Sequence, residues 1–313
     1  MPRGLDTKDR KILAQLDENC RRSLKEIGRK VKLTKEGVYY RIRNLEEKGI
    51  ITGYTTLISL AKLGLMQIKL LLRFRNMDRN KKREITHYFI NHENTNWVGS
   101  CKGSYDYMVG FVVKDLISFN RIKEDLMSRY SDLILSSTMS IMLEGHVLGR
   151  KYLGETSPRR YIGRPEKIRV DDIDLKILKL LSKDARMRST EIAAEIGITA
   201  RQAGYRIRTM EKDLIQKYTI SIDHSMVGMS FFKTFIYLND FKDKKKILSF
   251  LAQNRHCVHD VEVLSEWDLE PEFEVPSNKE FYSIIEELED RFSSSIRSID
   301  TVLVEKEFKY ELF

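Results

Sequence analysis

Scarcity says much about this chain. Its 313 residues include three cysteines, Cys20, Cys101 and Cys257, odd in number and far apart. They imply no disulfide framework and fit a reducing cytosol. The longest apolar region, Leu57 to Phe74, is broken by Lys62, Lys69 and Arg73, which excludes it as a membrane span. Met1 to Asp6 is too short and too polar to be a signal peptide ahead of the first helix. There is no Gly-rich phosphate loop and no nucleophile motif. His256-Cys257-x-His259-Asp260 brings soft ligand types together. Its spacing matches no standard zinc pattern, and strand alternation puts His256 and Cys257 on opposite faces, so neither a metal nor a cofactor is expected. Prolines number five, and two of them fall with three glycines inside 146–169.

The chain is 42% hydrophobic and 32% charged, a balance that supports several packed cores and excludes disorder by composition. Length alone suggests two to four domains. The net charge of +9 points to a polyanionic partner. It is unevenly spread. Residues 1–165 carry 32 basic and 18 acidic side chains, whereas 219–313 carry 11 and 19.

The stretch Thr34 to Tyr54 organises the rest. Thr34 is a helix cap, and Val38, Ile42 and Leu45 recur at i, i+4 and i+7 as one apolar stripe. Gly49 supplies a stop. With Val38 as the buried centre, Glu36, Tyr40 and Arg43 point away from the core, flanked by Lys35 and Tyr39. Polar, aromatic and basic groups on the free face of a short capped helix suit entry into a DNA groove; an ordinary solvated face is the alternative. Two shorter helices precede it, over 6–15 and after Ser23. A two-strand wing is expected over 50–58, which completes a winged helix-turn-helix.

The pattern occurs twice. Asp6, Asp9, Ile12 and Leu13 match Asp171, Asp174, Ile177 and Leu178, and Tyr40-Arg41-Ile42-Arg43 matches Tyr205-Arg206-Ile207-Arg208, at a constant offset of 165. So long a period marks a duplicated domain pair, not a solenoid. Each wing is followed by a strand (65–75; 229–239), a helix (79–92; 243–254), two strands around a turn (95–113; 257–275), a second helix (116–130; 277–292) and a last strand (133–145; 295–305). The order βαββαβ is ferredoxin-like. The fold class is therefore α+β, two winged helix-turn-helix domains and two ferredoxin-like domains in tandem. Expected spans are 1–58, 59–147, an exposed basic linker at 148–169, then 170–222 and 223–313, the last divergent and acidic.

Leu5-Asp6-x-x-Asp9-x-x-Ile12-Leu13, then Leu33-Thr34 leading to Arg41-Ile42-x-x-Leu45-Glu46-x-x-Gly49-Ile50-Ile51-x-Gly53-Tyr54, resembles the winged helix-turn-helix of the Lrp/AsnC (feast/famine) transcription regulators. Gly103-Ser104-Tyr105-Asp106 resembles the turn between strands 2 and 3 of that family's effector-binding domain. The resemblance implies a cytoplasmic, double-stranded DNA-binding regulator, not an enzyme and not membrane-bound. It also implies dimerisation through the α+β domains, further homo-oligomers, and tuning by a small molecule such as an amino acid. A typical member has one copy per chain; this one looks like a covalent pseudo-dimer. Candidate DNA-binding residues are Lys35, Glu36, Tyr39, Tyr40, Arg41 and Arg43 in the first copy, with Arg201, Gln202, Tyr205, Arg206 and Arg208 in the second. Arg41 and Arg206 lie beside the buried stripe, within reach of a phosphate rather than a base edge. Gly103, Ser104, Tyr105 and Asp106 are the candidate effector residues; in the second copy the turn reads Ser265-Glu266-Trp267-Asp268 and loses the glycine. Two rival readings are a fused enzyme of the siroheme decarboxylase kind, whose subunits resemble this fold, and a DNA-compacting architectural protein. The former uses His and Arg around strands 2 and 3, where this chain has Trp97, Lys102 and Tyr105.

Two asymmetries remain. Lys35, Glu36, Gly37 and Tyr39 become Ala200, Arg201, Gln202 and Gly204, so an asymmetric site with unlike half-sites is expected. In the α+β pair, Lys69, Arg73 and Arg75 share a strand face in copy one, while Glu270, Glu272 and Glu274 share one in copy two. These faces either pair across the copies or are separately solvated. Pro271 removes a ladder donor and suits an edge or a bulge.

Overall fold

Local side-chain chemistry starts each helix of the first head. Asp6 accepts from the amides of Lys8 and Asp9 and caps α1 (Thr7–Glu18); Ser23 and Glu26 form a reciprocal capping box on α2 (Leu24–Val31); Thr34 accepts from Gly37 N and caps α3 (Lys35–Glu47). Each such cap contributes about 1 kcal/mol. Gly28 is needed where α2 meets the turn, because a Cβ there would lie 2.6 Å from Leu33 O. The computed structural model describes residues 5–75, 77–154, 159–162 and 168–311.

After α3 the chain runs through β1 (Ile51–Ile58), β2 (Met66–Phe74), α4 (Arg79–Asn91), β3 (Thr95–Gly103), β4 (Tyr107–Val113), α5 (Leu116–Tyr130) and β5 (Ile134–Val147). A short β6 (Arg159–Ile162) intervenes. The second copy follows as α6 (Asp172–Lys183), α7 (Ser189–Ile196), α8 (Ala200–Asp213), β7 (Ile215–Ile222), β8 (Ser230–Leu238), α9 (Lys244–Gln253), β9 (Cys257–Leu264), β10 (Glu272–Val275), α10 (Asn278–Arg291) and β11 (Ile296–Tyr310). The duplicated order matches the reading of the sequence, except that β11 runs five residues further than expected.

The two-strand wing is a correction. Residues 50–58 supply one strand, β1, and its partner is β7 of the other copy, antiparallel from Ile51–Ile222 to Ile58–Ile215. A lone strand of eight residues leaves its ladder groups unpaired, so it takes the matching strand of the duplicate. As a result the two heads share one hydrophobic core, with Ile12, Leu16, Ile42 and Leu45 in the same cluster as Ile177, Leu181, Ile207 and Met210.

The α+β halves close into a ring. Strand order is β2-β4-β3-β11-β8-β10-β9-β5, and β5 pairs back onto β2, with β6 appended to β5. Two seams join the copies: β11 pairs with β8 over its first half and with β3 over its second, and β5 likewise pairs with β2 and then β9. Helices pack outside, giving one core around Phe89, Phe111 and Leu126 and another around Phe232, Phe273 and Phe281. Inside the ring, Leu71, Trp97, Met108, Phe235 and Trp267 pack across the copies. Pro271 precedes β10, which lies between β8 and β9 and shows a register shift against β9; the irregularity, not an edge, accommodates it.

The linker also differs from expectation. Leu148 is buried, and Arg150 bridges Asp17 of α1 and Glu274 of β10. Residues 148–152 thus belong to the packed interior, because two buried carboxylates need a cation there. Residues 155–158 and 163–167 of that linker lie outside the described residues. Among the described residues, no helix is long and apolar enough to cross a membrane.

Candidate nucleic-acid interface

Each third helix buries one stripe and frees the opposite face. In α3, Val38, Ile42 and Leu45 are buried, and in α8, Ala203, Ile207 and Met210. Lys35, Glu36, Arg43, Arg201, Gln202 and Arg208 are exposed. The aromatic rings are freer than apolar packing would leave them: Tyr39 is 57% exposed, Tyr40 74% and Tyr205 66%. Such rings on a polar face are available to a partner.

Arg41 and Arg206 have a different placement. Arg41 Nη1 lies 2.7 Å from carboxylate oxygens of both Asp6 and Asp9. Arg206 repeats the arrangement on Asp171 and Asp174 at 2.8 Å. These pairs tie the start of the first helix of each head to its third helix, and the hydrogen bonds that each guanidinium donates to its carboxylates raise its pKa in both heads. Arg43 rests 3.4 Å from Glu46 and 3.8 Å from Glu47. No ion pair holds Lys35, Arg201 or Arg208 among the described residues.

A near-two-fold set of contacts fixes the heads to each other. Cys20 N donates to Tyr218 O, and Ala185 N to Tyr54 O, both at 3.0 Å. Arg21 stacks 5.1 Å from the Tyr218 ring, and Arg186 stacks 4.9 Å from Tyr54. The repeat matches Arg21 with Arg186 at the offset of 165, and Tyr54 with Tyr218 only once the second wing is taken as one residue shorter; the Arg21–Arg186 match is the signal of the clasp in the sequence.

Below the heads lies a network of buried charge. Lys69 Nζ is 2.5 Å from Glu270 Oε1, and Ser140 Oγ donates to the other oxygen of that carboxylate. Lys233 pairs with Glu272, which His259 also engages at 2.7 Å. Glu274 receives Arg150, Tyr152 and His224; His224 continues to Glu307, whose other oxygen accepts from Trp97 Nε1. Of the expected basic face, only Lys69 enters this network. Arg73 and Arg75 are exposed, because the strand carries them past the region where the two sheets face each other. Burial pulls the Lys69 ammonium down, with Glu270 opposing. Burial alone would raise Glu272 and Glu274, but Lys233 and His259 on the first, and Arg150 and His224 on the second, hold both below the usual carboxylate range. Burial alone would depress His224, yet Glu274 and Glu307 push it up to about 10.

The joint between heads and ring is one-sided. In the first copy Asp17 gathers Arg150, Lys217 and Thr219. The matching position in the second copy is Ser182, whose carbonyl accepts from Thr55 at 3.1 Å. His256 and His259 of the metal-like motif each meet a β10 group, Glu274 O and Glu272 Oε2 respectively.

At the turn after β3, Gly103 has φ +126, and a Cβ there would lie 3.1 Å from Thr301 O. Ser104 is exposed, Asp106 accepts from Phe74 N at 2.8 Å, and Tyr105 turns inward onto Phe235 and Trp267. In the second copy Asp268 accepts from Leu238 N in the same way. The aspartate has a structural task in both turns.

Residues 5–52 match the model of a winged helix-turn-helix DNA-binding domain, and residues 170–211 that of an AsnC-type helix-turn-helix domain. The proline dehydrogenase transcriptional activator of Rhodobacter capsulatus is 30% identical over 141 residues, 44% of this chain and 90% of that protein. The chain belongs to the Lrp/AsnC family of transcriptional regulators. Transcriptional regulator AzlB of Bacillus subtilis is 34% identical over 39% of this chain and 80% of its own length. A whole Lrp/AsnC relative thus corresponds to less than half of this chain, as duplication requires. Over the full length, the siroheme decarboxylase NirDL shares the fold, with a TM-score of 0.60, 11% identity and coverage of 97% of this chain and 92% of that one.

Proposed function

We propose that this Lrp/AsnC chain is a cytoplasmic, sequence-specific transcriptional regulator, a covalent pseudo-dimer that reads duplex DNA with two unlike heads. The observation that carries this is the exposed face of α3 and α8, Tyr39, Tyr40 and Arg43 on one and Arg201, Tyr205 and Arg208 on the other, borne on a shared core. Arg43 and Arg208 are suited to guanine edges, a bidentate contact worth about 1–3 kcal/mol of discrimination. Lys35, Glu36, Arg201 and Gln202 lie within the first turn of each helix, where base and phosphate contacts concentrate. Arg41 and Arg206, held by their aspartates, act by setting helix orientation. Head spans of 1–58 and 170–222, α+β spans of 59–147 and 223–313, and a basic connector at 148–169 complete this reading. The Gly103–Asp106 turn is the candidate seat of a small effector such as an amino acid.

Selection from genomic DNA, followed by footprinting at fixed salt, tests the proposal. Recovery of an imperfect, asymmetric motif is expected. A perfect palindrome rejects unlike heads, and preference for no sequence favours a DNA-compacting role. The NirDL likeness favours one other reading, a tetrapyrrole enzyme. A new visible absorbance band on adding an iron tetrapyrrole to the purified chain would support it.

A further inference from the structure

The two helix-turn-helix units present different charge to a partner. Lys25 to Glu36 of the first head holds five basic and two acidic side chains; the matching stretch of the second, Thr190 to Arg201, holds one and two. Lys25, Arg29, Lys30, Lys32 and Lys35 become Thr190, Ala194, Glu195, Gly197 and Ala200, all of them exposed. No ion pair holds any of the five cations among the described residues. Lys25 and Arg29, four residues apart, share one side of α2, and Lys30 flanks them. The tight turn at Gly28 then carries Lys32 and Lys35 to the start of α3. Folding does not require this set. Cations in the last turn of a helix offset its dipole, but the Lys8 ammonium already meets that end of α2, donating to Val31 O at 2.6 Å. Lys32 keeps its charge at φ 57, where the second copy has Gly197, although the left-handed region costs a residue with a Cβ. In α7 the trend reverses: Glu195 stands in the last turn, where the dipole disfavours an anion.

We propose that the heads divide the work of binding: the first grips the phosphate backbone of any duplex, and the second adds affinity chiefly where it meets the right bases. This rests on the DNA-reading role of α3 and α8. In a helix-turn-helix the first helix of the pair crosses the sugar-phosphate backbone while the second enters the groove. The five cations of α2, its turn and the first turn of α3 therefore lie where phosphates pass. Each phosphate neutralised contributes about 0.9 to the salt slope, so the set supplies a slope of about 4 to 5. On the second head the same places are neutral, and Glu195 repels the backbone. That head gains from the duplex chiefly through Arg201 and Arg208, whose return depends on the base edges they meet. Because both heads share one core, the first holds the second beside the duplex while the chain samples sequence.

Binding of the full chain to a random-sequence duplex and to its selected site, between about 50 and 200 mM salt, tests this. Lys25→Thr/Arg29→Ala/Lys30→Glu gives the first head the residues of the second. It should lower the salt slope by about 3 on both duplexes, so that the wild type loses about 40-fold more affinity over that range than the variant does. The preference for the selected site should stay as it was. Arg201→Ala/Arg208→Ala should instead cut that preference by about 30-fold or more, the lower bound for two bidentate contacts. Circular dichroism checks each fold, and Lys30→Glu alone, a change of one exposed side chain, repeats the first arm should the triple variant unfold. A wild type that binds both duplexes but keeps its slope through the first-head changes overturns the division of work and leaves DNA reading standing. So does a site preference that falls with the first-head changes or survives the second-head ones. A wild type that binds no duplex at low salt overturns both.

Discussion

Lys69 of the first copy and Glu270 of the second form an ion pair with only 4% and 0% of their side chains exposed. Neither charge has a partner within its own strand, so each makes burial of the other tolerable. Packing a copy-two sheet against another copy-two sheet would bury Glu270, Glu272 and Glu274 against their own kind. The network therefore selects the unlike partner, which the covalent chain supplies.

Breaking this pair is expected to be costly. Lys69→Met leaves Glu270 buried without its cation, and Glu270→Gln leaves Lys69 with only Glu272 at 3.6 Å, a carboxylate that Lys233 already engages; each should lose up to about 3–5 kcal/mol. The double variant Lys69→Met/Glu270→Leu should lose less than either single one, because no orphan charge remains. Urea denaturation of all three variants checks the order, and an additive double loss would count against the pairing.

The network also sets a pH profile. His224, raised from 6.5 to about 10, contributes stability in full below pH 6.5 and loses it as pH rises toward 10. Glu272 and Glu274, lowered from 4.5, contribute in full above pH 4.5 and lose it as pH falls through their depressed values. Stability from these groups should peak between about pH 4.5 and 6.5. His224→Gln should flatten the alkaline fall and also shrink the acid limb, because His224 helps to hold Glu274 down, as read by melting temperature at constant ionic strength.

The reading heads should be separable by mutation. Arg208→Ala is expected to weaken binding by about 1–3 kcal/mol and to relax specificity in one half-site only. Arg43→Ala should do the same in the other half-site. Lys35→Ala should weaken all sequences alike and reduce the salt slope by about one. Arg41→Ala should lose about 1 kcal/mol of stability, since its ion pairs are partly exposed. Binding titrations at several salt concentrations, paired with melting curves, distinguish these effects.

A backbone difference between the copies offers a stabilising change. Lys32 sits in the left-handed region at φ 57, where the second copy has Gly197 at φ 77. Lys32→Gly removes the Cβ clash and should stabilise the first head by about 0.5–1 kcal/mol. A rise in denaturation midpoint with unchanged slope checks it.

Much was legible in the residues themselves. Caps at Ser23 and Thr34, apolar stripes through Val38 and Ile207, and the repeat at an offset of 165 act over a few residues or recur as text. They determine the helices, the duplication and the exposed faces of α3 and α8. The second strand expected in each wing was an error of range: β1 alternates like half a hairpin, and only the opposite copy shows that β7 is its mate.

What the tertiary structure decided is which distant groups meet. Asp17 finds Arg150 and Lys217, and Lys69 finds Glu270, across 130 to about 200 positions of chain. No local rule encodes such distances, and the same strand pattern serves a buried acidic face or a solvated one. Ring closure settled it: once both sheets faced inward, water was excluded, and Glu270, Glu274 and Asp17 required cations that the other copy or the linker brings.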